Sequence, residues 1–408
     1  MEGCKSNLMR EMMLIVLCFC FMSNYAAGES DISKKEDVEI SRLLKILNKP
    51  PVKTFTTKYG DIIDCIDIFK QPAFDHPLLK DHKIEVKPTF PREGMGSFTT
   101  PDNPWSEIER RKERCPLGAV PIRRTTKQEL IFGSKYHWEK TKQRNSNTYP
   151  HTPMYHHFAS IQPVEGKSYY GGHVIMGVHN PLVTPEQFST SQMWIQNGPE
   201  EQINSIEAGL AVYPKLFGDN ITRIFGYWTA DGYKSTGCFN IFCPGFVQVH
   251  PSITFGELLE PVSVYKGKKY SIPVEVYKAR ASGNWLLSVG EQVIGYWPKE
   301  LFTHLAHNAS IIRYGGIAGA LSGSPSPPMG NGHFPEYRDY DLAKAGFMRE
   351  MKVFNEAGEI VYFDFTKAPR KLDTKKDNCY KLYYYSYISK PYTWNIITYG
   401  GPGGSSCP

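Results

Sequence analysis

Asn204-Ser205-Ile206-Glu207-Ala208-Gly209 sets one acidic residue inside a run of alternating character. Read as a strand, one face carries Asn204, Ile206, Ala208, Leu210 and Val212, and the other Ile203, Ser205, Glu207, Gly209 and Ala211. The Glu207 carboxylate then stands among mostly small neighbours, with room for a ligand or a second acid. A carboxylate can act as general base on water, or as general acid where burial or a like charge keeps it protonated. A pair does more, because repulsion separates the two titrations and lets them share a proton. The structural alternative is a sheet carboxylate bonded to nearby backbone or tyrosine.

Other residues offer weaker chemistry. His156, His157, His173 and His179 lie close together, with His250 and His333 further on. His173 and His179 share a face of an extended strand but are too far apart for a local metal clip. There is no His-Glu-x-x-His and no Gly-x-Ser-x-Gly. The histidines read as structural or solvated, and no metal or cofactor is expected. Gly401-Pro402-Gly403-Gly404 lacks the Lys-Ser/Thr of a phosphate loop and reads as tail. Trp194, Trp228, Trp285 and Trp297 could line a groove for proline rings or sugar faces, or could pack in the core.

The elements that must position these groups begin after a leader. Lys5, Arg10 and Glu11 precede an apolar run from Met12 to Met22, with Ala26, Ala27 and Gly28 behind it. That is the layout of a secretory signal peptide over residues 1–28, too short to span a bilayer. Its removal takes Cys4, Cys18 and Cys20 and leaves six cysteines. An even count in an exported chain points to disulfides. Cys238/Cys243 would close a tight loop, Cys379/Cys407 would tie down the C-terminal tail, and Cys65 and Cys115 remain as a third pair. A zinc site lacks both ligand spacing and nearby histidines. The formal charge of +6 and the mixed-sign run Glu107–Arg114 make a poor nucleic-acid footprint; that run is also open to a trimming protease.

Residues 29–150 read as an N-terminal accessory region, with a short helical pattern at Val38, Leu43, Leu44 and Leu47 and a Pro- and Gly-rich stretch from Gln71 to Ser106. From 151 to 408 short strands alternate with Gly, Pro and aromatic residues: 169–178, 191–197, 203–213, 222–229, 245–250, 271–279, 284–289, 309–318, 346–354, 359–365 and 380–388. Phe354–Glu359 reads as a hairpin connection, and only Lys299–His307 looks helical. The class expected is all-β, an antiparallel sandwich of two sheets with a smaller N-terminal pro-region. Asn220-Ile221-Thr222 and Asn308-Ala309-Ser310 are glycosylation sequons in an exported chain.

Longer motifs carry a resemblance. Asp64-Cys65-Ile66-Asp67-Ile68-Phe69-Lys70-Gln71-Pro72-Ala73-Phe74, Cys115-Pro116-Leu117-Gly118-Ala119-Val120-Pro121, Asn204–Gly209, Tyr227-Trp228-Thr229-Ala230-Asp231-Gly232-Tyr233, Thr236–Asn240, Cys243–Val247, Gly295–Pro298 and Met329–Pro335 resemble the plant neprosin family. The resemblance covers nearly everything after the leader. It implies a β-sandwich glutamic peptidase that cuts next to proline in acid and is made as a zymogen. It places the first catalytic glutamate at Glu207. The second falls in Tyr314-Gly315-Gly316-Ile317, where isoleucine cannot share a proton. Leu210 and Leu286 stand where the motifs carry tryptophan, so a groove with fewer rings is expected. Glu291 and Glu336 are the candidate substitutes for the missing acid.

Two functions follow from Glu207 and Ile317. One is a secreted proline-directed endopeptidase acting on proline-containing peptide or protein. The other is an inactive homologue that binds proline-rich peptide or cell-wall glycan. The leader sends either one outside the cell or to the cell wall, with the vacuole as the other destination. No nucleic-acid partner and no membrane span in the mature chain are expected.

Overall fold

The computed structural model describes residues 37–88, 113–130, 154–163, 168–290, 292–361, 370–372, 378–389 and 392–407. The segment 1–28 expected to be a signal peptide, most of the charged run before Cys115, Glu291 and the polar stretch 135–153 lie outside them. The chain divides into two units, 1–46 and 47–408. A helix over 37–47 follows the pattern of Val38, Leu43, Leu44 and Leu47. No helix among the described residues is long and apolar enough to cross a membrane.

Three antiparallel sheets make up the rest. A small one joins β1 (Lys53–Thr56), β2 (Ile62–Asp67) and β3 (Ala119–Arg123). A seven-stranded sheet holds β4 (Met154–Ile161), β6 (Phe188–Asn197), β7 (Asn204–Val212), β8 (Arg223–Thr229), β9 (Cys238–Phe239), β14 (Ile311–Leu321) and β17 (Arg370–Leu372), in the order β17-β4-β14-β6-β7-β8-β9. A nine-stranded sheet holds β5 (Gly171–Gly177), β10 (Val247–Gln248), β11 (Ser271–Lys278), β12 (Trp285–Val289), β13 (Gln292–Trp297), β15 (Gly346–Phe354), β16 (Ile360–Val361), β18 (Lys381–Ser389) and β19 (Tyr392–Gly400). Two large antiparallel sheets are the expected architecture. Their inward side chains, among them Ile206, Ala208, Leu210, Trp228 and Tyr314 from one and Val174, Val276, Trp285, Trp297 and Tyr399 from the other, form one buried core.

The cysteines pair as anticipated: Cys65–Cys115, Cys238–Cys243 and Cys379–Cys407. The Phe354–Glu359 turn links β15 to β16, with Asn355 N–H donating to the Glu359 carbonyl at 3.1 Å. The expected Lys299–His307 helix is only one 3₁₀ turn, Lys299–Leu301. Its continuation is diverted by Asn204, whose Oδ1 accepts the N–H groups of Thr303, His304 and Leu305 at 3.0, 2.7 and 3.1 Å. Those donors would otherwise feed a helix. The same side chain donates Nδ2 to the Ala230 carbonyl at 2.9 Å, so one buried amide anchors the start of β7 to two loops. In the main domain β4, β9, β13, β17 and β19 fall outside the expected set. β4 reads as polar because of His156, His157 and Ser160, yet it pairs with β14 along its whole length.

Candidate functional site

β7 is buried from end to end, and its alternation is as the sequence predicts. Ile206, Ala208 and Leu210 enter the core, while Glu207 faces the other way into a groove of about 420 Å³ on the outward face of the seven-stranded sheet. Register builds the floor. Glu207 lies opposite Trp194 on β6 and Tyr227 on β8, and Trp194 lies opposite Arg313 on β14. Two residues along, Gln192 sits between Gly209 and Gly315. A Cβ at Gly209 would stand 2.1 Å from the Ser191 carbonyl, and one at Gly315, with φ +153°, 2.1 Å from the Ala159 carbonyl. Only glycine fits there. Gln192 thus stands between two glycines, in the row between that of Glu207 and that of Ile317, Thr190 and Ala211.

Glu207 is 8 % exposed and its carboxylate is fully engaged. Gln192 Nε2 donates to Oε2 at 2.7 Å, the Tyr233 hydroxyl donates to Oε1 at 2.7 Å, and Ser205 Oγ reaches Oε1 at 3.5 Å. Gln192 is held in turn by Thr190 Oγ1, which donates to its Oε1 at 2.7 Å. Burial first, and then the Glu207 charge, pushes the Tyr233 pKa well above the ordinary phenol value, so this hydroxyl keeps its proton. Tyr233 has φ +61°, an uncommon conformation for a bulky residue. The loop around it is tied by Asp231, which accepts from Ser235 N at 2.8 Å, Ser235 Oγ at 2.6 Å, Thr236 N at 3.1 Å and Thr236 Oγ1 at 2.8 Å. Burial works to raise the Asp231 pKa, but these hydrogen bonds outweigh it and bring it down to about 2. Asp231 therefore remains charged in acid and keeps Tyr233 over Glu207.

Ile317 shares this face. It lies opposite Thr190, four residues along β6 from the partner of Glu207, and also lines the groove. It is 7 % exposed, in a buried cluster with Phe188, Trp194, Tyr213 and Phe225, against which Phe158 and Phe239 pack. Phe188 stacks on Tyr213 at 4.7 Å between ring centres. The groove thus has a polar end around Glu207, with Glu200, Glu201 and Tyr233 on its wall, and an aromatic end around Ile317.

Of the residues singled out from the sequence, the structure brings Glu207, Ile317, Trp194 and His156 into the groove. Trp228, Trp285 and Trp297 belong to the core. Leu210 and Leu286 do not line the groove: Leu210 is in the core, and Leu286 packs with Ala73, Val247 and Tyr296 on the outward face of the other sheet. The expectation that these two leucines thin out the rings of the groove is therefore corrected. Glu336 is elsewhere too; its carbonyl accepts the Tyr385 hydroxyl at 3.0 Å. His173 pairs with Glu275 at 2.7 Å and His157 with Ser326 at 2.8 Å, both buried. No group of three or more potential metal ligands occurs among the described residues. Gln192, Thr190 and Tyr233 escaped sequence reasoning, although the stripe Thr190, Gln192, Trp194, Gln196 on alternate positions of β6 was a readable signal.

The neprosin family model matches residues 185–402, and the neprosin activation peptide model matches 54–162. The second match runs through β4, a strand of the groove's own sheet. Among solved structures, a scytalido-glutamic peptidase with a transition state analog inhibitor is similar at 12 % identity over 60 % of this chain and 100 % of its own, with a TM-score of 0.31. SCP-B, a member of the eqolisin family of peptidases in complex with a tripeptide, gives 12 % identity, 60 % and 97 % coverage and a TM-score of 0.28. CG-16, a homodimeric agglutinin from chicken liver, gives 7 %, 40 %, 90 % and 0.20. With more than half of its length matched by the neprosin domain alone, and the activation peptide matched ahead of it, the chain belongs to the neprosin family.

Proposed function

We propose that this chain is a secreted, peptidase-like member of its family whose groove binds proline-containing peptide without cutting it. The observation that carries the reading is Ile317. Where the resemblance expects the second glutamate, an alkyl side chain is packed among rings. None of the three groups bonded to Glu207 is an acid. With no acid bonded to Glu207 among the described residues, the division into acid and base that a pair provides has no second member there. What remains suits binding. Phe158, Phe188, Trp194 and Tyr213 offer ring faces to prolyl rings, and Glu207 with Gln192 offers an acceptor and an amide to peptide groups.

One contact favours a second reading, hydrolysis by a single carboxylate. Gln192 Nε2 lies 2.7 Å from Glu207. Glu207 would take a proton from water, whose oxygen attacks the peptide carbonyl. A Gln192 N–H would face the oxyanion, and the protonated Glu207 would return its proton to the leaving nitrogen.

The test is a fluorescent proline-rich peptide titrated into the purified protein at pH 4 to 7, with cleavage followed by mass spectrometry. Saturable binding, weakened at least tenfold by Trp194→Ala and without cleavage, supports the first reading. Turnover lost in both Glu207→Gln and Gln192→Ala replaces it with the second. An oligosaccharide that binds where the peptide does not would sink both.

A further inference from the structure

The N-terminal region is built into the sandwich through buried charge. Arg223, at the start of β8, is 1 % exposed. Its Nη1 donates to Asp61 Oδ2 at 2.9 Å and to the Gly256 carbonyl at 2.6 Å, while Asp219 pairs with Nη2. Asp61 lies between β1 and β2, so a core strand of the main domain draws half its counter-charge from the N-terminal region. From β3, Arg123 donates Nε to Asp61 Oδ1 at 2.7 Å and Nη2 to the Phe217 carbonyl at 3.1 Å, and also pairs with Glu129. Burial works to raise the Asp61 pKa, but Arg223 and Arg123 hold it below the ordinary carboxylate value, so the contact outlasts mild acid.

A second contact is polar and reciprocal. Gln71 Nε2 donates to the Gln248 carbonyl at 3.0 Å, and Gln248 N–H donates to Gln71 Oε1 at 2.7 Å. Around it Ala73, Phe74 and Ile84 pack on Val247, Ala279, Leu286 and Tyr296. Cys115 N–H donates to the Pro251 carbonyl at 3.2 Å. These contacts fall on the nine-stranded sheet, the start of β8 and the loops around Phe217, Pro251 and Gly256, and none of the described residues of 47–130 lines the groove.

We infer that residues 47–130 are a lasting structural partner of the sandwich, which backbone cleavage leaves in place. Stripping them away would take one of the two carboxylates from Arg223 and break a buried ion-pair network from one side. It would also uncover the Leu286 and Tyr296 face. The Cys65–Cys115 disulfide adds a covalent hold, because its two halves lie on opposite sides of the charged run Glu107–Arg114. Hydrolysis of one peptide bond in that run leaves the upstream piece, with β1 and β2, joined through sulfur to the piece that carries β3 and the whole sandwich. The product is a two-chain protein.

Two versions of the full chain test this, one with a protease recognition sequence inserted after Asp102 and one with it after Asn145. Cut after Asp102, the protein should run as one band on a non-reducing gel and as two when reduced. Cut after Asn145, where no disulfide spans the break, the two fragments should co-elute in gel filtration at pH 7 and pH 5. Asp61→Ala combined with Gln71→Ala should speed fragment release at least tenfold in the second version. Separation of the wild-type fragments at either pH overturns the proposal, as does release from the first version without reductant. Retention unaltered by the double variant overturns its assignment to these contacts. None of these readouts depends on the groove binding peptide.

Discussion

The two ends of the groove lie on one face of one sheet, yet they are held together by different forces. Around Glu207 every carboxylate contact is a hydrogen bond, and the donors are themselves tied by Thr190 and the Asp231 loop. Around Ile317 the neighbours are rings, and cohesion comes from packing. A charge is well solvated by protein at the first end and would be stranded at the second. At position 317 the strand register turns a side chain toward the groove, but the medium that receives it is apolar.

Placing an acid at the aromatic end should be the most disruptive way to test that contrast. Ile317→Glu places a carboxylate among Phe188, Tyr213 and Phe225, and a loss of about 3–5 kcal/mol at pH 7 is expected from an uncompensated buried charge. Burial raises such a carboxyl's folded pKa, so the loss should shrink as pH falls and the group protonates. Urea unfolding at pH 7 and pH 4 measures both; equal loss at the two would show that Ile317 is not in an apolar medium.

Behind the aromatic end, His179 lines a small internal cavity with Thr190, Leu210 and Ala211. Its ring nitrogens have no hydrogen-bond partner, and burial brings its pKa down to about 4 from an unfolded value of 6.5. The folded pKa is depressed, so the unfolded chain binds the proton more readily, and stability falls as pH drops from 6.5 towards 4. At about 1.4 kcal/mol per pKa unit this amounts to about 3 kcal/mol. His179→Phe should flatten thermal stability over that window, and an unchanged slope would assign the acid sensitivity elsewhere.

Smaller effects belong to the polar end. Tyr233→Phe leaves the buried Glu207 carboxylate one donor short, at about 1–3 kcal/mol in denaturant titrations. Gln192→Ala removes an equally close donor and leaves Thr190 without its acceptor, so it too should cost about 1–3 kcal/mol, and the two variants should be non-additive since both act on one carboxylate. Additive losses would mean that the relay does not behave as a unit.

Much of this was readable in advance. The alternation in β7 puts Glu207 opposite to Ile206, Ala208 and Leu210, and it also excludes Leu210 from the groove, which the motif comparison alone had placed there. The antiparallel sandwich and the three cysteine pairs followed from short strands, turn residues and an even count. What stayed hidden depends on register. Gln192 and Tyr233 reach Glu207 from 15 and 26 residues away, and nothing local states which residues will lie opposite one another. The diverted segment after Leu301 was hidden for a similar reason, because Asn204, 100 residues distant from His304, takes its N–H groups.

The position of β4 also limits where this chain can be trimmed. β4 lies inside the sheet, bridged to β14 on one side and β17 on the other, although the activation-peptide match extends past it. Losing everything up to residue 162 would remove the strand next to the sheet's edge and leave β17 without its partner. The unsatisfied edge of β14, from Tyr314 to Leu321, would then be open to pairing with other chains, the usual start of aggregation. Trimming that keeps the protein soluble must stop before Met154.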